Sequence, residues 1–383
     1  MTHIPARPWT KKNPPRRVLA IRLQAMGDMA ITLPYLQGLR NSLPPDTRLD
    51  LLTREEVAPL SQNIHCFDNI YTIGGGRHFK KIFLYALLLI PRLFFRRYEV
   101  IIDLQNNIVS RIVRKTLRPA AWSEFDRFSK MAAGERTRLT IEAIGLGACR
   151  MDNHFRLKDE NRGPDLLKKN GWNGTDPLVV LNPAGFVATR NWSLPNYVQF
   201  ARLWLERFPN SRFLILGTSF IAAKAAQLKN ELGDRLLNLV NQTTPLDAFA
   251  VLQKASLVLS EDSGLMHMAW TSGIPTMVLF GSTSSYWSRP LGDHSHFLDS
   301  SDLPCGNCMQ TVCQFGDIHC LTRYTPELVF REALSLVQKQ SSGRPDSDGG
   351  HPNKFFHHAD TFNDQPDIFS NRPNKLSDQT HKI

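Results

Sequence analysis

Apolar positions along the chain fall into two alternating patterns. Val18-Leu-Ala-Ile21 is apolar on both faces, which is the signature of a strand buried in a parallel sheet. Gly27 follows, and then a stretch from Met29 to Leu39 with helical spacing. Leu49–Thr53 and Val100–Leu104 read as further strands, the second leading into a helix over Ile108–Leu117. After a polar stretch the alternation restarts with a strand at Leu178–Leu181 and a helix over Asn196–Phe208. A strand at Arg212–Gly217, a helix over Ile221–Leu232, strands at Ser256–Ser260 and Thr276–Gly281 and a last helix over Pro326–Gln338 complete it. Strand–helix alternation of this kind predicts an α/β protein with two doubly wound sheets.

The pattern sets the expected boundaries. Residues 1–15 hold Pro5, Pro8, Pro14 and Pro15 and read as a basic flexible arm. Residues 16–160 are expected as an N-terminal doubly wound domain and 178–340 as a C-terminal one. Between them, 161–177 is rich in Gly and Pro and is expected as a linker. Residues 341–383 have few aliphatic side chains to bury and are expected as a disordered polar tail. The length of 383 residues fits two domains at roughly 100–200 residues each.

Charge narrows the partners. Lys and Arg number 46 against 35 Asp and Glu, a formal net charge of +11, so an anionic partner is expected. The basic residues are scattered and carry no nucleic-acid-binding module, so no nucleic acid is expected. No Gly-x-Gly-x-x-Gly follows the first strand, which argues against a dinucleotide enzyme. The longest apolar run, Ile82–Phe95, is broken by Pro91 and Arg92 and falls short of the roughly 20 residues of a membrane span. The expected location is the cytoplasm. Arg77, His78, Lys80 and Lys81 precede that run, and Arg92, Arg96 and Arg97 punctuate its end. Such a helix either lies on an anionic membrane face or covers a core with its basic flanks in water.

Several polar segments follow strands, where ligands of open α/β sheets bind. Gly27 lets the backbone approach a ligand, and the Asp28 carboxylate beside it can take a proton from an attacking hydroxyl. Capping of the next helix is its bland alternative. The loop Asn182–Trp192 holds Gly185 and the cation Arg190, and arginine grips phosphate through two donors. An ordinary surface arginine is the other reading. The segment Ser260–His267 packs Asp262, Ser263, Gly264 and His267 into one turn at a helix start, where N–H groups favour anions. Asp262 or Ser263 as an N-cap is the simpler account. Gly281 and Thr283 in Phe280–Ser284 suit a phosphate or a plain turn. Cys305-x2-Cys308-x4-Cys313-x6-Cys320 offers four thiols for a structural metal, with only the first pair at a familiar spacing. Free thiols or a labile disulfide are the alternatives.

Val18–Pro34, Asp103-Leu-Gln105, Asn182–Gly185 with Arg190 and Trp192, Glu261–His267 and Phe280–Thr283 occur in one order, and together they resemble glycosyltransferase family 9, the bacterial lipopolysaccharide heptosyltransferases. The resemblance runs from about Arg17 to Leu336. It implies a GT-B fold of two Rossmann-like domains facing a central cleft, with the acceptor in the N-terminal domain and the nucleotide sugar in the C-terminal one. It implies inverting transfer that needs no cofactor, with ADP-heptose as favoured donor and a lipid-linked glycan as acceptor, at the inner face of the inner membrane. Asp28 matches the general base. Arg190 falls where the family often has a lysine near the donor phosphates. Asp262, Ser263, Gly264 and His267 fall on the donor-binding turn and Thr283 on a second phosphate loop. A transferase of another nucleotide sugar and a non-catalytic sugar-nucleotide binder are the alternative readings.

Overall fold

The computed structural model describes residues 4–76 and 78–342, and within them lie two six-stranded sheets. The first is built from β1 (Ala6–Arg7), β2 (Arg17–Ile21), β3 (Arg48–Arg54), β4 (Asn69–Ile73), β5 (Val100–Asp103) and β6 (Ala121–Glu124), in the order β1-β6-β5-β2-β3-β4. The second is built from β7 (Leu178–Asn182), β8 (Arg212–Gly217), β9 (Leu236–Val240), β10 (Leu257–Glu261), β11 (Thr276–Leu279) and β12 (Ser295–Leu298), in the order β12-β11-β10-β7-β8-β9. All pairings are parallel except β1 with β6.

The central strands are buried throughout, apart from Arg17 at the start of β2, as continuous apolar runs require when helices cover both faces of a sheet. In each sheet the strand order reverses once, between β2 and β5 in the first and between β7 and β10 in the second. Such switch points open a crevice beyond the strands' carboxyl ends. The helix Met26–Ser42, which follows β2, packs against the helix Gly264–Thr271, which follows β10. One apolar cluster runs through both lobes, from Val18 and Met29 to Met266 and Phe280. The two crevices therefore face each other where these two helices pack.

Two boundary expectations need correction. The arm is anchored: Ala6–Arg7 pairs with Trp122 and Ser123 on the edge of the first sheet, and Trp9 N donates to Ile144 O at 2.7 Å. A two-residue edge pairing is set by tertiary contact and leaves no local pattern. The expected linker holds a helix, Arg162–Lys169, which packs on the helix Pro245–Leu252 of the second lobe. Pro164 sits in its first turn, where its missing N–H costs nothing. The expected tail lies outside the described residues, apart from Ser341 and Ser342 at the end of the helix Pro326–Ser342.

Candidate active site between the lobes

Asp28 stands in the first turn of the Met26–Ser42 helix, at the mouth of the first switch point. Its Oδ2 accepts from the Ala25 N–H at 3.0 Å, so the capping alternative holds in part. The same oxygen meets Arg22 Nη2 at 3.0 Å. Among the described residues Oδ1 has no protein donor, and the side chain is 44% exposed. Arg22 is 5% exposed and is anchored by donation to Leu104 O, at the end of the neighbouring strand. Gln105 ties the same two strand ends, its Oε1 accepting from Leu23 N at 2.9 Å and Gln24 N at 3.0 Å. Arg136, from the helix Ala133–Glu142, and Arg22 both stack on the Phe125 ring, at 5.0 and 5.1 Å to the centroid. Both guanidiniums sense the Asp28 charge. Motif reading missed this cationic pair, because the two arginines come together only on the Phe125 ring, from elements far apart in sequence.

The turn after β10 faces Asp28. A Cβ on Gly27 would lie 3.0 Å from His267 Cδ2 and 3.7 Å from Gly264 Cα, so the glycine sets the close approach of the lobes. Ser263 is the N-cap its bland reading expects, with Oγ accepting from Met266 N at 3.3 Å. Asn182 reaches across the second switch point to the same Oγ at 2.8 Å and to Ser260 Oγ at 2.7 Å. Asp262 accepts from Ser288 at 3.3 Å. His267 is buried, which holds its imidazole below the ordinary range despite the opposing pull of Asp262 and Asp28. Its Nδ1 accepts from Trp270 Nε1 at 3.4 Å, so the neutral ring carries its proton on Nε2.

The loop Asn182–Trp192 is strung from below by Glu261. Its two carboxylate oxygens accept from Gly185 N and Trp192 N, both at 2.6 Å. Burial pushes this carboxyl up to about 7 even though those N–H groups, Lys224 and Tyr197 favour its charge. Lys224 donates to Pro183 O at 2.8 Å and to Asn191 Oδ1. Arg190 projects from the loop, half-buried, with no carboxylate at ion-pairing distance among the described residues. Gly185 is required sterically, since a Cβ would lie 2.2 Å from Arg190 O. The loop after β11 locks onto it: Ser282 N donates to Thr189 O at 2.9 Å, and a Cβ on Gly281 would lie 2.1 Å from that carbonyl. Thr283 is buried with a hydroxyl that has no hydrogen-bond partner. Beyond the loop, Phe186 (73% exposed) stacks on exposed Phe220, centroids 5.1 Å apart.

The segments after β7, β10 and β11 thus lie together, with the Arg190 cation and a helix N-terminus along them and the unpartnered Thr283 hydroxyl buried beneath. Asp28 faces them from the other lobe. A family model, glycosyltransferase family 9 (heptosyltransferase), matches residues 126–319. The chain belongs to glycosyltransferase family 9. Lipooligosaccharide heptosyltransferase 2 of Campylobacter jejuni serotype O:6 is 28% identical over 187 residues, 48% of this chain and 56% of that protein. The chain therefore spans about half the length of that relative. Lipopolysaccharide heptosyltransferase 1 of Pseudomonas aeruginosa is 24% identical over 361 residues, 84% of this chain and 98% of that one. Among solved structures, the family 9 glycosyltransferase of Veillonella parvula superposes with TM-score 0.68 at 15% identity, covering 85% of this chain and 97% of that one. ADP-heptose lipopolysaccharide heptosyltransferase II of E. coli follows with TM-score 0.63 at 16% identity, covering 85% and 99%. These likenesses identify the fold as GT-B, the two-lobed arrangement expected from the sequence.

The cysteine segment lies beside the segments after β7 and β11. Cys305, Cys308, Cys313 and Cys320 line one cavity of about 400 Å³ with Thr189, Ser282 and His319. All four are free thiols, and among the described residues no three His, Cys, Asp or Glu side chains are gathered as a metal would need. Backbone ties, such as Met309 N to Ser282 O at 2.8 Å, hold the segment open around the cavity rim. Thr189 Oγ1 donates to Gln310 O at 2.7 Å, so the segment buttresses the Arg190 loop.

Proposed function

We infer that this chain is an inverting glycosyltransferase that moves heptose from ADP-heptose to a hydroxyl of a lipid-linked, lipopolysaccharide-type glycan at the inner face of the inner membrane. The observation that carries the reading is the Asp28 carboxylate, fixed by Arg22 on one oxygen and open on the other, opposite the Ser263–His267 turn. Pure binding has no use for an acid held in that manner. The E. coli heptosyltransferase solved with ADP-2-deoxy-2-fluoro heptose shares the fold, with TM-score 0.59 at 18% identity over 83% of this chain and 99% of that one. The sugar nucleotide bound to that protein is what makes ADP-heptose the favoured donor here.

In the proposed reaction the acceptor hydroxyl gives its proton to Asp28 Oδ1 as its oxygen attacks the anomeric carbon. The new C–O bond forms on the face opposite the breaking one, and the nucleoside diphosphate leaves with the bonding electron pair. Arg190, the N–H groups at the start of the Gly264–Thr271 helix and the His267 Nε2–H meet the charge that grows on the leaving phosphate. Fixed donors of this kind act only where charge develops, which is where they lower the barrier. The Phe186–Phe220 pair lies beyond the ends of β7 and β8, on the β7 side of β10, and offers an aromatic face to the nucleobase. Arg22 and Arg136 give the acceptor side a positive character suited to an anionic glycan.

The test is a binding and transfer screen of the purified protein with ADP, UDP, GDP and their sugars. Tight ADP-heptose binding with transfer to a lipid-linked core acceptor supports the reading. Preference for another nucleotide sugar keeps the mechanism and removes heptose. Absence of any nucleotide binding removes the donor site on Arg190, Asp262, His267 and Thr283.

A further inference from the structure

The helix Phe79–Phe95 follows β4 and packs beside the helix Ile108–Leu117. Of its 17 residues only Ala86 and Leu93 are buried. They lie on one side, where they join Ile82, Leu89 and Ile90 against the core of the first lobe. The opposite side is as apolar as the buried one. At 100° per residue, Leu84, Leu87, Leu88, Pro91, Phe94 and Phe95 fall on one stripe roughly 120° wide. Phe95 is 82% exposed, Leu88 66%, Leu84 54% and Phe94 53%. A helix serving only to cover a core carries polar residues there. Single exposed leucines are ordinary, but a contiguous apolar stripe with two phenylalanines is not.

Charge indicates what covers the stripe. No acidic residue occurs from Phe79 to Arg97, while Lys80, Lys81, Arg92, Arg96 and Arg97 do. Lys81 and Arg92 are exposed along one edge of the stripe, Lys80 is exposed at its N-terminal end, and Arg92 lies over the Tyr71 ring at 5.3 Å. An apolar stripe edged by cations and free of acids complements a surface with hydrocarbon beneath and negative charge above. No described helix is long and apolar enough to cross a membrane, so the contact is one of lying on the surface.

We propose that the outward face of the Phe79–Phe95 helix is a docking surface for an anionic lipid bilayer, with the apolar stripe sunk between headgroups and the flanking lysines and arginines paired to lipid phosphates. The lipid-linked acceptor gives this contact its purpose and so rests on the function proposed above, but the contact itself does not require it. Docked in this way, the first lobe brings its Asp28 crevice to the surface where a lipid-linked glycan would be presented.

The experiment is co-sedimentation of the full chain with phosphatidylcholine vesicles, with and without one-third phosphatidylglycerol. Two variants accompany it: Leu84→Ser/Leu88→Ser/Phe95→Ser and Lys80→Gln/Lys81→Gln. All five positions are exposed, so the circular dichroism and melting temperature of both variants should match the wild type. The expected result is wild-type binding to anionic vesicles that weakens as salt rises. The apolar variant should lose at least about tenfold of it, and each neutralised lysine about fivefold. Wild-type protein left in the supernatant with anionic vesicles would overturn the proposal, as would the apolar variant sedimenting like wild type. Light scattering that shows a wild-type dimer broken by the apolar variant would assign the stripe to a second copy instead. ADP binding measured on the same preparations separates the two readings. Vesicle binding without nucleotide binding sinks the proposed function and leaves the docking face, and the reverse does the opposite.

Discussion

Arg22 Nη2 lies 3.0 Å from Asp28 Oδ2, and the guanidinium that makes this contact is itself pinned to Leu104 O on the neighbouring strand. The carboxylate is thereby fixed to the end of the sheet as well as to its own helix turn. In the proposed mechanism Arg22 is a positioning residue. Arg22→Lys keeps the charge and loses the reach to both partners. We expect its kcat to fall by about tenfold to a hundredfold with ADP affinity nearly unchanged, because misplacing a reacting group by about an ångström has that effect. Steady-state kinetics with isothermal titration of ADP checks this. A rise in KM for the donor at unchanged kcat would place Arg22 in ground-state binding instead.

Glu261 gives a pH dependence whose sign follows from its burial. Its folded pKa is raised from 4.5 to about 7. Between those values the unfolded chain has lost a proton that the folded protein keeps, so stability falls as pH rises from the carboxylate range toward neutrality, by up to about 1.4 kcal/mol per pH unit. Glu261→Gln removes this slope. It also sets an amide NH2 against one of the two N–H groups at 2.6 Å, which loosens the Arg190 loop. Melting curves of both proteins from pH 4.5 to 7 are expected to differ in slope. Parallel curves would show that Glu261 titrates normally.

Gly27 and Gly281 separate two effects of a single methyl group. On Gly281 it would lie 2.1 Å from a backbone carbonyl, and on Gly27 3.0 Å from the rim of the His267 ring. Gly281→Ala is expected to destabilise by about 1–3 kcal/mol. Gly27→Ala is expected to melt within about 1 kcal/mol of wild type and still lose transfer activity, because it wedges the lobes apart where Asp28 meets the donor turn. Denaturation curves beside activity decide it, and equal destabilisation in both variants would contradict the assignment.

Phe186 and Phe220 are expected to matter only for the base. Removing one stacked ring typically costs about 0.5–1.5 kcal/mol, so Phe186→Ala and Phe220→Ala should each weaken ADP binding by roughly threefold to tenfold. Pyrophosphate, which has no base, should bind all three proteins alike. Equal loss of pyrophosphate binding would mean that the pair merely shapes the loop.

The parts of this arrangement that a sequence reveals are those with a local pattern. Val18–Ile21 and Leu178–Leu181 announce buried strands because both their faces are apolar, and the polar turns that follow them mark the crevices. Asp28, Arg190, Ser263 and His267 were legible for that reason. Arg22 was not, because it continues a strand-like run and its role depends on Leu104, 82 residues away. Arg136 likewise gains meaning only from Phe125 and Asp28. Glycines and Pro164 masked the Arg162–Lys169 helix, since breakers near a helix start look like a linker until Leu167 is seen packed in the core. The apolar run at Phe79–Phe95 was legible as a helix, but which of its faces the core would cover was not.

The most direct measurement is the rate of heptose transfer from ADP-heptose by Asp28→Asn, with ADP affinity determined on the same preparation. Loss of a general base typically lowers the rate by about a hundredfold to ten-thousandfold. The expected result is a loss in that range with ADP binding and melting temperature at wild-type levels. Transfer at the wild-type rate by Asp28→Asn would contradict the account.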